Sequence, residues 1–221
     1  MKTINFKAVI FDMDGVLIDS QPLHYEVDMG VLKSCGYPAT LDDVQHYTGK
    51  SNPDRWPEYR ATLNLSPSVD ELIRIQEDLM RKIFLQDGLM PIDGVPELLQ
   101  HLKANQIPCA VASSTAHELV CLVLKHIGIF DYFDAIVSGE DVAHGKPAPD
   151  VYLKAAEKIG ISPEYCVAIE DSPAGMLSAK RANMTCVAFK NPNTWGQEFS
   201  HADVVINHFD EFLKLPEVNN L

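Results

Sequence analysis

Asp12 and Asp14 stand two residues apart in Asp12-Met13-Asp14-Gly15-Val16, directly after the apolar run Ala8-Val9-Ile10-Phe11. Such a run reads as a strand buried on both faces of a parallel sheet. Gly15 permits a sharp turn behind the second carboxylate. Two carboxylates confined at a strand end repel each other unless a cation or a shared proton relieves them. The stretch therefore points to a metal site, or to a nucleophile paired with an acid.

Three further groups sit in comparable places. Ser113-Ser114 follow the apolar run Cys109–Ala112, Glu170-Asp171 follow Cys166–Ile169, and Lys146 lies in Gly145-Lys146-Pro147-Ala148-Pro149-Asp150. In a parallel sheet the C-terminal strand ends share one edge, where ligands bind, so residues far apart in sequence converge there. Each group alone has a plainer reading. Asp14-Gly15 is an ordinary turn signal. Ser113 or Ser114 suits a helix cap, Lys146 a solvated side chain, and Glu170-Asp171 ahead of Ser172-Pro173 a helix start. Four such groups at equivalent places favour one site over four coincidences. Gly139 to Gly145-Lys146 is not a nucleotide P-loop: five residues separate the glycines where that loop has four, and Pro147 stands where Ser or Thr would bind the metal.

The elements that must hold these groups follow from hydrophobic patterning. Strands are expected at Ala8–Phe11, Cys109–Ala112, Ala135–Val137, Cys166–Ile169, Thr185–Phe189 and Val204–Ile206. Helices are expected at Val95–Ala104, Ala116–His126, Asp150–Ile159, Gly175–Ala182 and Phe209–Leu213. The alternation predicts an α/β fold, a doubly wound, Rossmann-like parallel sheet covered on both faces. The segment 20–89 breaks the rhythm with four helical patterns, Leu23–Cys35, Leu41–Tyr47, Pro53–Leu63 and Val69–Leu85, with Asp42 and Ser68 as expected helix starts. It is too long for an ordinary strand-to-helix connection. We expect an α-helical insert over 20–89 and a core made of 1–19 and 90–221.

The chain has 221 residues, 46% of them hydrophobic, which suffices for a packed core and excludes global disorder. Its formal net charge of −13 argues against a nucleic-acid or anionic-membrane surface. An anionic small substrate stays compatible, because a metal ion and a lysine reverse the potential locally. The five cysteines form no CxxC pair and are expected to be reduced thiols of a cytoplasmic protein. The N-terminus has no signal-peptide pattern, and no run approaches the ~20 apolar residues of a membrane span.

Taken together, Asp12-x-Asp14-Gly15, Ser113, Lys146-Pro147-x-Pro149-Asp150 and Glu170-Asp171, in this order, resemble the haloacid dehalogenase superfamily of phosphohydrolases. The helical insert resembles the cap that one branch carries after its first strand. The resemblance implies Asp12 as nucleophile, Asp14 as general acid and then base, Ser113 and the Ser114 backbone as phosphoryl hydrogen-bond donors, and Lys146 as the cation beside Asp12. It implies Mg²⁺ held by Asp12, the Asp14 carbonyl and Asp171, with Glu170 bound through water. Asp14 favours phosphate-ester chemistry over the dehalogenase and phosphonate-cleaving branches, which lack that acid.

Within the insert, His24 resembles the hinge histidine of β-phosphoglucomutases. Asn52 stands where those mutases carry an arginine and Thr48 where they carry a lysine, with Lys50 and Arg55 nearby. The expected activity is therefore a Mg²⁺-dependent phosphatase acting on a small phosphorylated metabolite, with a β-phosphoglucomutase-type activity as the alternative. A non-catalytic phosphate- or metal-binding module is the reading of another class. His24, Lys50, Ser51, Asn52 and Arg55 are the candidate leaving-group contacts. A monomer or weak homodimer is expected.

Overall fold

The computed structural model describes residues 6–47, 52–193 and 198–215, with the side chains of residues 52–54 left aside. The chain divides into two compact units, Met1–Asp19 with Met90–Leu221, and Ser20–Leu89.

Among the described residues the larger unit is built on six strands: β1 (Ala8–Phe11), β2 (Cys109–Ser113), β3 (Ala135–Ser138), β4 (Cys166–Glu170), β5 (Thr185–Phe189) and β6 (Val204–Ile206). They form one sheet in the order β3-β2-β1-β4-β5-β6, every pair parallel. Ile10 of β1 aligns with Ala110 on one side and Ala168 on the other. The chain leaves β1 toward β2 and leaves β4 toward β5, so the direction of winding reverses between β1 and β4. That reversal opens a crevice at the C-terminal ends of those two strands.

Alternation along the strands decides what packs on each face. One face carries small residues, including Ala8, Ala110, Ala112, Ala168, Cys186 and Ala188, against Val151, Tyr152, Ala155 and Ala156 of one helix and Met176 and Ala179 of another. The short side chains of this sheet face leave room for the larger Tyr152 and Met176 of the covering helices. On the other face Phe189 stacks on Phe209, with ring centroids 4.6 Å apart. The doubly wound α/β architecture is as patterning predicts.

The helices in chain order are α1 (Gln21–Ser34), α2 (Leu41–Gln45), α3 (Asn52–Thr62), α4 (Val69–Phe84), α5 (Val95–Ala104), α6 (His117–His126), α7 (Asp150–Ile159), α8 (Pro173–Arg181) and α9 (Phe209–Leu213). Among the described residues the smaller unit holds α1 to α4 and no strand. Asp42 does not start α2. Thr40 does, because its backbone N–H and its hydroxyl both donate to Asp43 Oδ2 at 2.7 Å, the reciprocal arrangement that fixes a first turn. Ser68 caps α4 as expected, accepting from Glu71 N while Glu71 accepts from Ser68 N. The last helix of the crevice, α8, starts at Pro173 and not at Gly175: Ser172 accepts from Gly175 N at 3.0 Å, and Pro173 fits a first turn whose N–H groups need no helical partner.

In the smaller unit the packing includes a buried ion pair, Arg55 Nη1 to Asp28 Oδ2 at 3.0 Å, with the guanidinium 5.3 Å from the Trp56 ring. Trp56 donates to Gln76 Oε1 at 2.7 Å. No helix among the described residues is long and apolar enough to cross a membrane.

Candidate active site

The crevice gathers the four groups that the strand pattern places at sheet ends. Asp12 extends β1 by one residue, its N–H donating to Ile169 O of β4 at 3.0 Å, which fixes its backbone beside that strand. The chain then curls: Val16, Leu17 and Ile18 all donate to Met13 O, and Gly15 N donates to Ile18 O. Gly15 has φ +75°, and a Cβ there would lie 2.1 Å from Asp171 Oδ2. Its missing side chain is what lets the turn after β1 and the carboxylate after β4 meet. Asn191, buried just past β5, donates to Gly15 O at 3.1 Å and pins the same turn.

Lys146 reaches the cluster from the loop ahead of α7. Its ammonium donates to Asp12 Oδ1 at 2.8 Å, Glu170 Oε1 at 2.6 Å and Ala112 O at 2.9 Å. Three donors meet three acceptors, which is the full capacity of an ammonium. Burial works against the lysine's charge, but the attraction of Asp12 and Glu170 and their hydrogen bonds outweigh it and hold its pKa above the ordinary lysine value. It remains a cation. Asp12 is affected in the opposite sense for a carboxylate. Burial raises its pKa well above the usual range, Lys146 opposes that rise, and the negative charges of Glu170, Asp14 and Asp171 add to it.

Glu170 is fully buried and saturated. Its Oε1 accepts from Lys146 and, at 2.8 Å, from the Tyr152 hydroxyl. Its Oε2 accepts from the backbone of Asp171 and Ser172 and from Ser172 Oγ, at 3.0 to 3.2 Å. A Cβ at Gly175 would lie 1.8 Å from Glu170 Oε1, so this glycine makes room for the carboxylate.

Carboxylate oxygens of Asp12, Glu170 and Asp171 all lie within 4.8 Å of one another, and all three residues are buried. Opposite ligands of a hard cation at ~2.1 Å would be about 4 Å apart, so the span suits one ion. Oxygen-only donors and an excess of carboxylates over the single ammonium suit a hard divalent cation such as Mg²⁺.

Ser113 closes β2 and is fully buried. Its Oγ accepts from Thr115 N at 3.0 Å, which leaves the hydroxyl proton to be donated elsewhere. Ser114 is exposed beside it. Thr115 Oγ1 donates to Asp14 Oδ2 at 2.7 Å, joining the loop after β2 to the turn after β1.

The candidates in the helical unit are placed differently. His24 lies on α1, its ring 5.1 Å from Phe84 in an edge contact. Arg55 is held by Asp28. Asn52 opens α3 with its side chain undescribed, and Lys50, Ser51 and Thr48 lie outside the described residues.

Sequence reasoning missed Thr115, Tyr152, Ser172 and Asn191 as supports of the site. Ser172-Pro173 was legible as a helix start, and the structure combines that capping with a hydrogen bond to Glu170. The others carry no local signal.

A family model described as haloacid dehalogenase-like hydrolase matches residues 9–189. The phosphorylated carbohydrates phosphatase of Thermotoga maritima is 34% identical over 178 residues, covering 80% of this chain and 82% of that one. Hexitol phosphatase B of Escherichia coli is 33% identical over 210 residues, covering 92% and 93%. CbbY from Rhodobacter sphaeroides, solved in complex with phosphate, superposes with a TM-score of 0.80 at 25% identity and covers 94% of this chain and 96% of its own.

Proposed function

This chain belongs to the haloacid dehalogenase-like hydrolases, and from that membership we propose that it is a Mg²⁺-dependent phosphatase of small phosphorylated carbohydrates working through an aspartyl-phosphate on Asp12. It is a phosphoric monoester hydrolase, as its phosphatase relatives are. The observation that carries the finer reading is the Lys146 clamp. One ammonium fixes Asp12 Oδ1 and Glu170 Oε1 together, beside Asp171.

With Oδ1 held, the other carboxylate oxygen of Asp12 attacks phosphorus, and the bond to the leaving oxygen breaks as that oxygen takes a proton from Asp14. Asp14 then removes a proton from water, the water oxygen attacks phosphorus, and the bond to Asp12 breaks to release inorganic phosphate. Splitting the displacement in two lowers each barrier, and positioned acid–base groups contribute roughly 10²- to 10⁴-fold. Ser113 donates its hydroxyl proton to a phosphoryl oxygen, and Lys146 offsets the developing charge. Mg²⁺, held by Asp12, Asp171 and the Asp14 carbonyl with Glu170 behind them, would neutralise phosphoryl charge and keep Asp12 ionised against its buried surroundings.

The carbohydrate part of the proposal is supported by the names of the relatives. A phosphatase is favoured over a phosphomutase because Arg55, the described cation nearest in sequence to the expected second-phosphate loop, is already neutralised by Asp28. The test is phosphate release from 4-nitrophenyl phosphate with and without Mg²⁺, by wild type and Asp12→Asn. Release should need both the metal and Asp12; substantial turnover by folded Asp12→Asn removes Asp12 from the nucleophile role. Ranking sugar and polyol phosphates by kcat/KM then identifies the substrate. Glucose 6-phosphate accumulating from β-glucose 1-phosphate plus a trace of bisphosphate, without net inorganic phosphate, would reverse the choice of phosphatase.

A further inference from the structure

We propose that Thr115 is a positioning residue for the proton-transferring carboxyl of Asp14, and that the loop Ser113-Ser114-Thr115 sets the phosphoryl contact and the proton donor as one unit. This rests on Asp14 being the acid and base of the proposed reaction. Asp14 lies on the turn after β1, which its own backbone hydrogen bonds and Gly15 shape, but a turn fixes the Cα and not the plane of a carboxyl. That plane is restrained by Thr115 Oγ1, which donates to Asp14 Oδ2 at 2.7 Å across 101 residues of sequence. Thr115 is itself held, because its N–H donates to Ser113 Oγ at 3.0 Å. Ser113 closes a fully buried strand that pairs with β1 on one side and β3 on the other. The chain of contacts therefore runs from the sheet to Ser113, to Thr115, to Asp14.

Two consequences follow from the chemistry of these atoms. The hydroxyl of Ser113, occupied as an acceptor by Thr115 N, has its proton to give to a phosphoryl oxygen. With Oδ2 held by Thr115, the plane of the Asp14 carboxyl is restricted, as proton transfer to the leaving oxygen in the proposed reaction requires. A misplacement of about 1 Å in such a donor costs on the order of 10²-fold in rate. The threonine methyl group, which serine lacks, is not required for this role; the hydroxyl is.

The role has a signature that packing alone does not produce. Proton donation matters most when the leaving oxygen is basic, so losing the alignment of Asp14 should steepen the dependence of rate on the leaving group. We would measure kcat/KM for a series of substituted phenyl phosphates, from 4-nitrophenyl to unsubstituted phenyl, with wild type, Thr115→Val, Thr115→Ser and Asp14→Asn. Asp14→Asn should lose progressively more as the leaving phenol becomes more basic; if it does not, the acid–base reading of Asp14 fails, independently of Thr115. Given that result, Thr115→Val should lose a few-fold on 4-nitrophenyl phosphate and roughly 10- to 100-fold on phenyl phosphate, and Thr115→Ser should restore the wild-type dependence. Equal loss across the series, wild-type rates in Thr115→Val, or failure of serine to rescue would each overturn the inference.

Discussion

At the scale of single residues, the site depends on two places where a side chain must be absent. Gly15 and Gly175 leave space for the carboxylates of Asp171 and Glu170. The Gly175→Ala variant forces its methyl into Glu170, and Glu170 holds Lys146, which holds Asp12. Changes in groups that orient metal ligands typically lower metal affinity or activity about 10- to 100-fold. We expect a loss of that size for Gly175→Ala, visible as a raised Mg²⁺ requirement in a titration of activity; an unchanged Mg²⁺ dependence would separate Glu170 from the metal site. The convergence of Asp12, Asp14, Glu170 and Asp171 was legible because each follows an apolar strand run, so the parallel sheet brings them to one edge; Lys146, in a Gly-Pro loop, was legible only through its order among those groups. Thr115 and Tyr152 were not, because a hydroxyl's partner is set by the fold: their acceptors lie 101 and 18 residues away.

Whole elements were read more easily than their ends. The inner strands are continuous buried apolar runs and the partly exposed edge strands β3 and β6 are short apolar runs, so the six described strands were found near their observed bounds, yet the order β3-β2-β1-β4-β5-β6 is set by packing across the sheet and has no local mark. The start of α2 went to Asp42 because acidic residues favour first turns, whereas the cap is the reciprocal Thr40–Asp43 arrangement. Arg55 shows the same limit on α3. A cation near an expected substrate loop reads as a ligand contact; what the structure shows of Arg55 is a pairing with Asp28 of α1, both buried, which had no local signal. Removing one partner of a buried pair leaves an uncompensated charge and costs about 3–5 kcal/mol. Asp28→Ala should therefore destabilise the chain by about that much in denaturant titration, while Asp28→Leu with Arg55→Met should recover most of the loss. A loss below about 1 kcal/mol in Asp28→Ala would mean that the pair is solvated.

For the whole molecule, a net charge of −13 is compatible with an anionic substrate under the proposed reading, because a cation bound beside Lys146 would set the field at the crevice locally, whatever the surface sum. The thiols report the packing of the larger unit. Burial pushes Cys109 up to about 12 and Cys166 up to about 11 from the ordinary 9.0. The native state keeps these protons while the unfolded chain releases them, so their contribution to stability is present below pH 9.0 and is lost as pH rises toward about 11 and 12. Stability should decline above pH 9.0, and Cys166→Ala should flatten that decline; an unaltered slope would mean that Cys166 ionises in the native state. The account as a whole stands on phosphoryl transfer to one named oxygen. The most direct measurement is rapid acid quench of the enzyme turning over a phosphate ester with Mg²⁺, followed by peptide mass spectrometry. The predicted result is an acyl-phosphate on the Asp12 carboxylate that hydroxylamine removes; active enzyme with no phosphoryl adduct, or with one on Asp14 or Asp171, would contradict it.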